Sequence, residues 1–276
     1  MTAVTAERGR TLVLGHDARR FWHLTWTLAT TDFKLRFYGS VLGYLWTLAR
    51  PFLFFGVIYF VFTEIVPVNA DVPYYGVCIL FSLVLFNFFG EATGGCVNCL
   101  VIRESMLRKM RFPRLVIPLS VVLASLFNLG MTLVAVVVFG AVSGVYPTWH
   151  WFELVFIVGA LAMFCTGIGL LLSSLYVRYR DVQPIWDVFT QVLFYASPIL
   201  YVASVVPQKY IDYYMLSPIA VLMTETRHAA VDQNAPHPWE LAAPWVMAAS
   251  AAIVVVTFVV GALVFARNAP RIAEDL

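Results

Sequence analysis

Charge is what this chain has least of. Only 12% of its 276 residues are Asp, Glu, Lys or Arg, against 61% that are hydrophobic, whereas a soluble domain carries about 25% charged residues. So small a supply could not cover a water-facing surface, which excludes a soluble globular protein and leaves an integral membrane protein. Lysine is scarcer still, with Lys34, Lys109 and Lys209 the three in the chain. None follows a glycine and no G-x-x-x-x-G-K-[ST] occurs, so the chain lacks a phosphate-cradling loop and is expected to bind no cofactor of its own. The five histidines, His16, His23, His150, His228 and His237, are scattered. No intramembrane cluster of carboxylates and histidines marks a proton relay, a metal site or a metal-dependent transferase. The Cys96/Cys99 spacing could suit a metal or redox pair, but no second pair or nearby histidine completes a ligand set, and packing is the simpler role for both and for Cys78 and Cys165. No cleavable signal peptide is expected, since the first apolar run starts only near residue 41.

What the chain does have is apolar length. Crossing a hydrocarbon core of roughly 30 Å takes about 20 residues, and six runs approach or exceed that: Val41 to Val66, Val72 to Val101, Leu115 to Val145, Phe152 to Tyr176, Pro184 to Val206 and Ala243 to Ala266. An all-α protein of six spans follows, with a cytoplasmic N-terminal segment over residues 1–40 and a transmembrane domain over 41–276. An even count puts both termini on one side, and the basic residues choose it. Sixteen of the eighteen Lys and Arg precede the end of the first run or lie after the second, fourth and sixth, so those regions are expected to be cytoplasmic. The net charge of +2 averages a basic inner face with an acidic outer one, and no nucleic-acid partner is expected.

The densest basic segment is the loop 102–114, with Arg103, Arg108, Lys109, Arg111 and Arg114. These charges enforce topology, and the same residues can dock a partner: Glu104 and Leu107 lead into the loop, Phe112 offers an apolar knob and Pro113 stiffens its far end. Ahead of the first run, Trp22, Trp26, Ala29, Phe33 and Phe37 recur at intervals of three or four, opposite Arg20, His23, Thr27, Thr31 and Lys34. That pattern reads as an amphipathic interfacial helix, either an anchor or a platform presenting a lipid-linked substrate. Within the runs the charges are Arg50, Glu91 and Asp187. Arg50 and Asp187 can snorkel to the interface, whereas Glu91 needs a buried partner or a wet cavity. Gly39-x-x-x-Gly43, Gly90-x-x-x-Gly94 and Gly140-x-x-x-Gly144 permit close helix approach without naming an interface. Aromatics, among them Phe55, Tyr59, Phe62, Phe194 and Tyr201, either face lipid or line a path for sugars. The prolines of the segment 206–240 punctuate two short apolar stretches that suit interfacial or re-entrant helices.

Three motifs carry a resemblance to the six-span permease subunits of ABC exporters that move polysaccharides such as O-antigen, galactan and teichoic acid. The stretch from Asp32 to Phe55 resembles the family's opening signature through Asp32, Lys34, Arg36, Tyr38, Ser40, Leu42 to Trp46 and Pro51. The basic loop is similar through Asn98, Arg108, Lys109, Phe112, Pro113, Arg114 and Pro118, and the short loop before the fifth run through Arg178 to Val182. Arg50, Ser217 and Glu225 depart from the pattern.

The resemblance implies a homodimer with a central conduit in the cytoplasmic (inner) membrane of a bacterium. It also implies a separate ATP-binding subunit, which would supply ATP and Mg²⁺, and an undecaprenyl-type lipid-linked glycan as substrate. Glu104, Leu107, Arg108, Lys109, Arg111, Phe112, Pro113 and Arg114 would then form the coupling element, and the segment 206–240 the outer gate. Lys34, Arg36 and Arg50 cluster where the interfacial helix meets the first run, at the depth of a lipid pyrophosphate, and could clamp it. An ABC permease for a small lipid or drug is the alternative. An ion-coupled secondary transporter should show paired intramembrane charges and an internal repeat, and neither is visible in the sequence. The charge map makes a direct prediction: cysteines introduced at Lys109 and Arg180 should react with an impermeant maleimide only from the cytoplasmic side, and one at Gln233 only from outside, while the reverse pattern would overturn the topology.

Overall fold

A computed structural model describes residues 18–36, 41–65, 72–109 and 113–270. Helices account for the regular structure, and no strand occurs among the described residues. In chain order they are α1 (Ala18–Arg36), α2 (Val41–Phe60), α3 (Tyr75–Val97), α4 (Cys99–Ile102), α5 (Glu104–Lys109), α6 (Val116–Val142), α7 (Trp151–Tyr176), α8 (Val182–Ala196), α9 (Gln208–Met215), α10 (Pro218–Ala230), α11 (Pro238–Leu241) and α12 (Pro244–Asn268). Four of them, α3, α6, α7 and α12, are long and apolar enough to cross a membrane, and the chain is a multi-pass membrane protein.

The central column is α3. Its apolar residues are spread all round rather than gathered in a stripe, as expected of a helix enclosed by others, and 17 of its 23 residues are buried. It packs against α6 and α7 on its long sides and touches α2, α8 and α10 as well. Phe81, Leu83, Leu85 and Phe89 are fully enclosed, and Phe89 meets Phe164 of α7 and Trp186 of α8 at ring-centroid distances of 6.1 Å each. Below α3 the helix breaks twice, at Asn98 and again at Arg103, to give the short pieces α4 and α5.

The most extensive helix pair is α7 with α12. Lipid tails are as apolar as leucine, so helices in a bilayer associate through close packing rather than by escaping water. Gly167 and Gly261 make that approach possible: a methyl group on Gly167 would sit 2.7 Å from the Phe258 backbone, and one on Gly261 would strike the Gly167 carbonyl.

Two elements differ from the sequence reading. The fifth run is helical only over Val182–Ala196, 15 residues and about 22 Å. Beyond it Ser197 turns extended, and Ile199 and Leu200 pack into the core with the Leu200 carbonyl accepting the Tyr75 hydroxyl at 2.5 Å. Helix α1 lies along α6, and its enclosed line is Phe21, Thr25 and Ala29, while Trp22 and Trp26 are 61% and 56% exposed. Thr25 fits that line because its hydroxyl donates to the Phe21 carbonyl at 2.9 Å, Ala29 belongs to both the enclosed line and the aromatic one, and Trp26 and Phe33 meet Phe127 of α6 at 5.1 and 6.0 Å. Phe37 lies outside the described residues.

The segment after α8 folds back as α9 to α11 around a small core of Ala203, Ile211, Met215, Ala220, Ala242 and Val246. Asp212 accepts the Ala243 amide at 3.1 Å, tying α9 to the start of α12. The Tyr214 hydroxyl donates to that of Tyr201 at 3.3 Å, and burial pushes the Tyr214 phenol well up, so it remains a donor. The α7/α12 contact yields a prediction: Gly261→Val should destabilise the chain by about 1–3 kcal/mol through overpacking and lower its melting temperature in detergent, whereas Gly159→Ala, where a methyl group meets nothing within 4 Å, should leave it unchanged.

Candidate functional site

A cavity of about 730 Å³ opens between α1, α2, α3, α6 and α8, and Arg36, Arg50 and Glu91 all stand on its wall. Arg36 comes from the last turn of α1, Trp46, Arg50 and Phe54 from α2, Asn87 and Glu91 from α3, Asn128 and Thr132 from α6 and Thr190 from α8. Glu91 organises it. Arg36 Nη1 donates to Glu91 Oε1 in an ion pair, the Asn128 amide donates to Oε2 at 2.6 Å, and the Ser125 hydroxyl to Oε1 at 3.3 Å. A carboxylate that far inside an apolar helix has to be paired and hydrogen-bonded, and three partners on two other helices do so.

A second ion pair fastens the same end of α1. Arg103 at the break between α4 and α5 pairs with Asp32 and also donates to the Ser120 hydroxyl at 3.2 Å. This pair is the more enclosed on its cationic side, Arg103 being 18% exposed and Asp32 31%, against 46% for Arg36 and 26% for Glu91. Asn98 meanwhile donates to Gln183 at 3.4 Å, linking the end of α3 to the start of α8.

Of the three residues expected to meet a lipid pyrophosphate, the structure brings Arg36 and Arg50 to one cavity, whereas Lys34 is exposed and absent from its wall. The aromatics divide over more than one surface. Phe55, Tyr59 and Phe62 line a second cavity of about 630 Å³ with Tyr74, Tyr75 and Phe139. Phe194 packs between Phe54 and Phe86 at 6.2 and 5.3 Å, and Tyr201 lies beside Tyr75 and Arg227 in a narrow cleft. Since Phe54 and Phe55 are adjacent on α2, that helix forms a wall of both large cavities.

In the segment expected to couple, α5 holds Glu104, Leu107, Arg108 and Lys109, and Leu107 packs onto the cluster of Leu100, Ile117, Leu170 and Phe265. Pro113 and Arg114 open the turn into α6. Arg111 and Phe112, and the side chains of Arg108 and Lys109, lie outside the described residues. The sequence reading missed the partners Asn128, Ser125 and Ser120 and the Asp32–Arg103 pair. Only the scarcity of charge pointed toward them, because ordinary Ser and Asn in an apolar run carry no spacing signal. Among the described residues no group of three or more His, Cys, Asp or Glu is placed to hold a metal ion.

Comparison with known proteins agrees with this architecture. The chain is 29% identical over 202 residues to an O-antigen export system permease protein RfbA of Klebsiella pneumoniae, covering 72% of this chain and 77% of that protein. It is also 29% identical over 252 residues to an O-antigen export system permease protein RfbA of Myxococcus xanthus, covering 91% and 94%. Residues 23–231 match the profile of the family described as ABC-2 type transporter, and the chain belongs to that family of membrane permeases.

Proposed function

We propose that this chain is the membrane subunit of an ATP-driven exporter that moves a lipid-linked polysaccharide, O-antigen-like, galactan or teichoic-acid-like, across the cytoplasmic membrane. The observation that carries the reading is the likeness to O-antigen export permeases along nearly the whole chain. The charged cavity beside the interfacial helix supports it. In this reading α2 and α8 join the four long helices to make six spans with both termini in the cytoplasm, and two copies of the chain enclose a conduit. A separate ATPase binds ATP and Mg²⁺ and docks on α5 and the loop to Arg114, where Arg108, Lys109 and Arg111 complement an acidic surface and Phe112 enters a groove. Arg36 and Arg50 receive the pyrophosphate of the carrier lipid, Arg through its two-pronged donor face. The aromatic walls around Phe55, Tyr59 and Phe62 offer flat faces to sugar rings, and the segment 206–240 gates the outer side.

Purified alone, the chain should hydrolyse no ATP, and it should retain an ATPase subunit when the two are expressed together; robust turnover by the isolated chain would end the reading. Phe112→Ala and the double variant Arg108→Glu/Lys109→Glu should insert normally yet uncouple export from ATP hydrolysis, measured in proteoliposomes, and wild-type export in both would remove the loop as the coupling element. At the cavity, Arg36→Lys/Arg50→Lys should lose glycan export while keeping expression and ATPase docking, because lysine keeps the charge but not the fork; normal export would show that the two arginines serve only as anchors.

A further inference from the structure

Three of the five histidines, scattered along the sequence, meet in the structure where α7 begins and α10 ends. The ring of His228 lies 3.4 Å from that of His237, centroid to centroid, and His237 stacks in turn on Trp239 at 3.8 Å. His150 stands perpendicular to His228 at 5.9 Å. The three differ in the charge that their surroundings suit. His150 Nδ1 pairs with Glu153 at 2.8 Å and His237 Nδ1 with Glu225 at 3.3 Å, and the indole face of Trp239 also favours a cation on His237. His228 is 6% exposed, and its Nδ1 donates to the Ala235 carbonyl at 2.8 Å, an acceptor that serves the neutral ring as well as the charged one. Among the described residues no carboxylate pairs with it. The other charged groups nearby are engaged elsewhere. Arg227 lies against Cys78 of α3 in the narrow cleft, Asp232 accepts the Asn234 amide at 3.0 Å and Glu240 the His237 amide at 3.3 Å. On α9, Asp212 accepts the Ala243 amide and Lys209 sits over the Tyr210 ring, and α12 brings no charge to this end.

We propose that the His228–His237 stack is an acid-opened latch, which closes residues 231–241 onto the start of α7 and the end of α10 near neutral pH and releases them when His228 takes up a proton. Two imidazolium rings at that separation would repel one another across a site with little water, so the closed stack accommodates one positive charge and not two. His237, with Glu225 and Trp239 beside it, is the ring equipped to hold that charge. His228 becomes charged only once the rings separate and water reaches it. The open form therefore binds one more proton than the closed form, and acid favours opening. The latch also holds backbone. The ring that must stay neutral carries the Ala235 carbonyl, and the Asp232 and Ala235 amides close the turn onto the Arg227 and Asp232 carbonyls at 3.0 and 2.9 Å. Opening frees this turn and α11 together, while α9 stays tied to the start of α12 through Asp212. Acid on the outer side would then loosen the gate formed by the segment 206–240, a consequence that rests on the export reading.

Amide hydrogen exchange on the full chain in detergent, read by mass spectrometry and corrected for the intrinsic effect of pH on exchange, tests the latch without any transport assay. The amides of residues 231–241 should exchange roughly tenfold faster at about pH 5.5 than at about pH 7.5, the interval over which histidine gains its proton. Those of α9 should not change. His228→Asn, whose amide can still donate to the Ala235 carbonyl but takes up no proton, should abolish the response. His237→Phe, which keeps a ring in the stack without a charge, should reduce it to about threefold or less, because His228 then meets no second cation. Corrected exchange that is the same at both pH values in the unaltered chain overturns the proposal, whatever the variants do. A full response in either variant overturns it as well. Should His228→Asn not fold, Glu225→Gln, which takes from His237 the carboxylate that lets it hold a charge, should lower the pH of opening by about half a unit, and no shift would overturn the proposal equally. These outcomes leave the export reading untouched, because that reading stands or falls on ATPase association and coupling.

Discussion

A carboxylate placed among apolar helices has to find partners, and the partners of Glu91 determine how one half of this protein is assembled. Its ligands come from two directions: Arg36 from the end of α1, Asn128 and Ser125 from α6. Satisfying one side chain therefore pins α1 to α3 and α6. Arg50 of α2 and Thr190 of α8 line the same cavity as this cluster. Breaking a buried pair by removing one partner typically costs about 3–5 kcal/mol. The cost here is smaller because Arg36 is nearly half exposed to whatever fills the cavity.

Around that point the bundle is held by contact rather than by charge. The column α3 is enclosed on all sides, and the α7/α12 pair closes to backbone distance at Gly167 and Gly261. Irregular backbone is confined to the ends: the π-helical turn Val61–Ile65 after α2, the breaks at Asn98 and Arg103, and the extended stretch after α8. Backbone amides and carbonyls freed at such places must be satisfied inside the protein when they lie at membrane depth. The Tyr75 bond to the Leu200 carbonyl is one instance of that repair.

Arg103 links two parts that are distant in sequence. It ends α4, and its side chain reaches both Asp32 of α1 and Ser120 of α6. The short helix α5, leading to the proposed ATPase-docking loop, and α1, beside the proposed substrate cavity, therefore share an anchor.

Membrane class and helical fold were legible in the sequence because each follows from local composition: long apolar runs have one stable backbone solution in a bilayer. The motifs from Asp32 to Trp46, around Arg108 and from Arg178 to Val182 likewise carried the family. The reach of the fifth helix was not legible, since an apolar stretch looks the same whether it continues as helix or turns extended at Ser197 to bury Ile199 and Leu200. Nor was the enclosed side of α1, where Thr25 replaces an aromatic because its hydroxyl is satisfied within its own helix. Which charges meet was decided by the tertiary structure alone. Arg36 and Glu91 are 55 residues apart and Asp32 and Arg103 are 71 apart, and no periodicity connects them. Such pairs form because helix packing brings their faces together, and an apolar environment makes an unpaired charge costly enough that the packing has to comply.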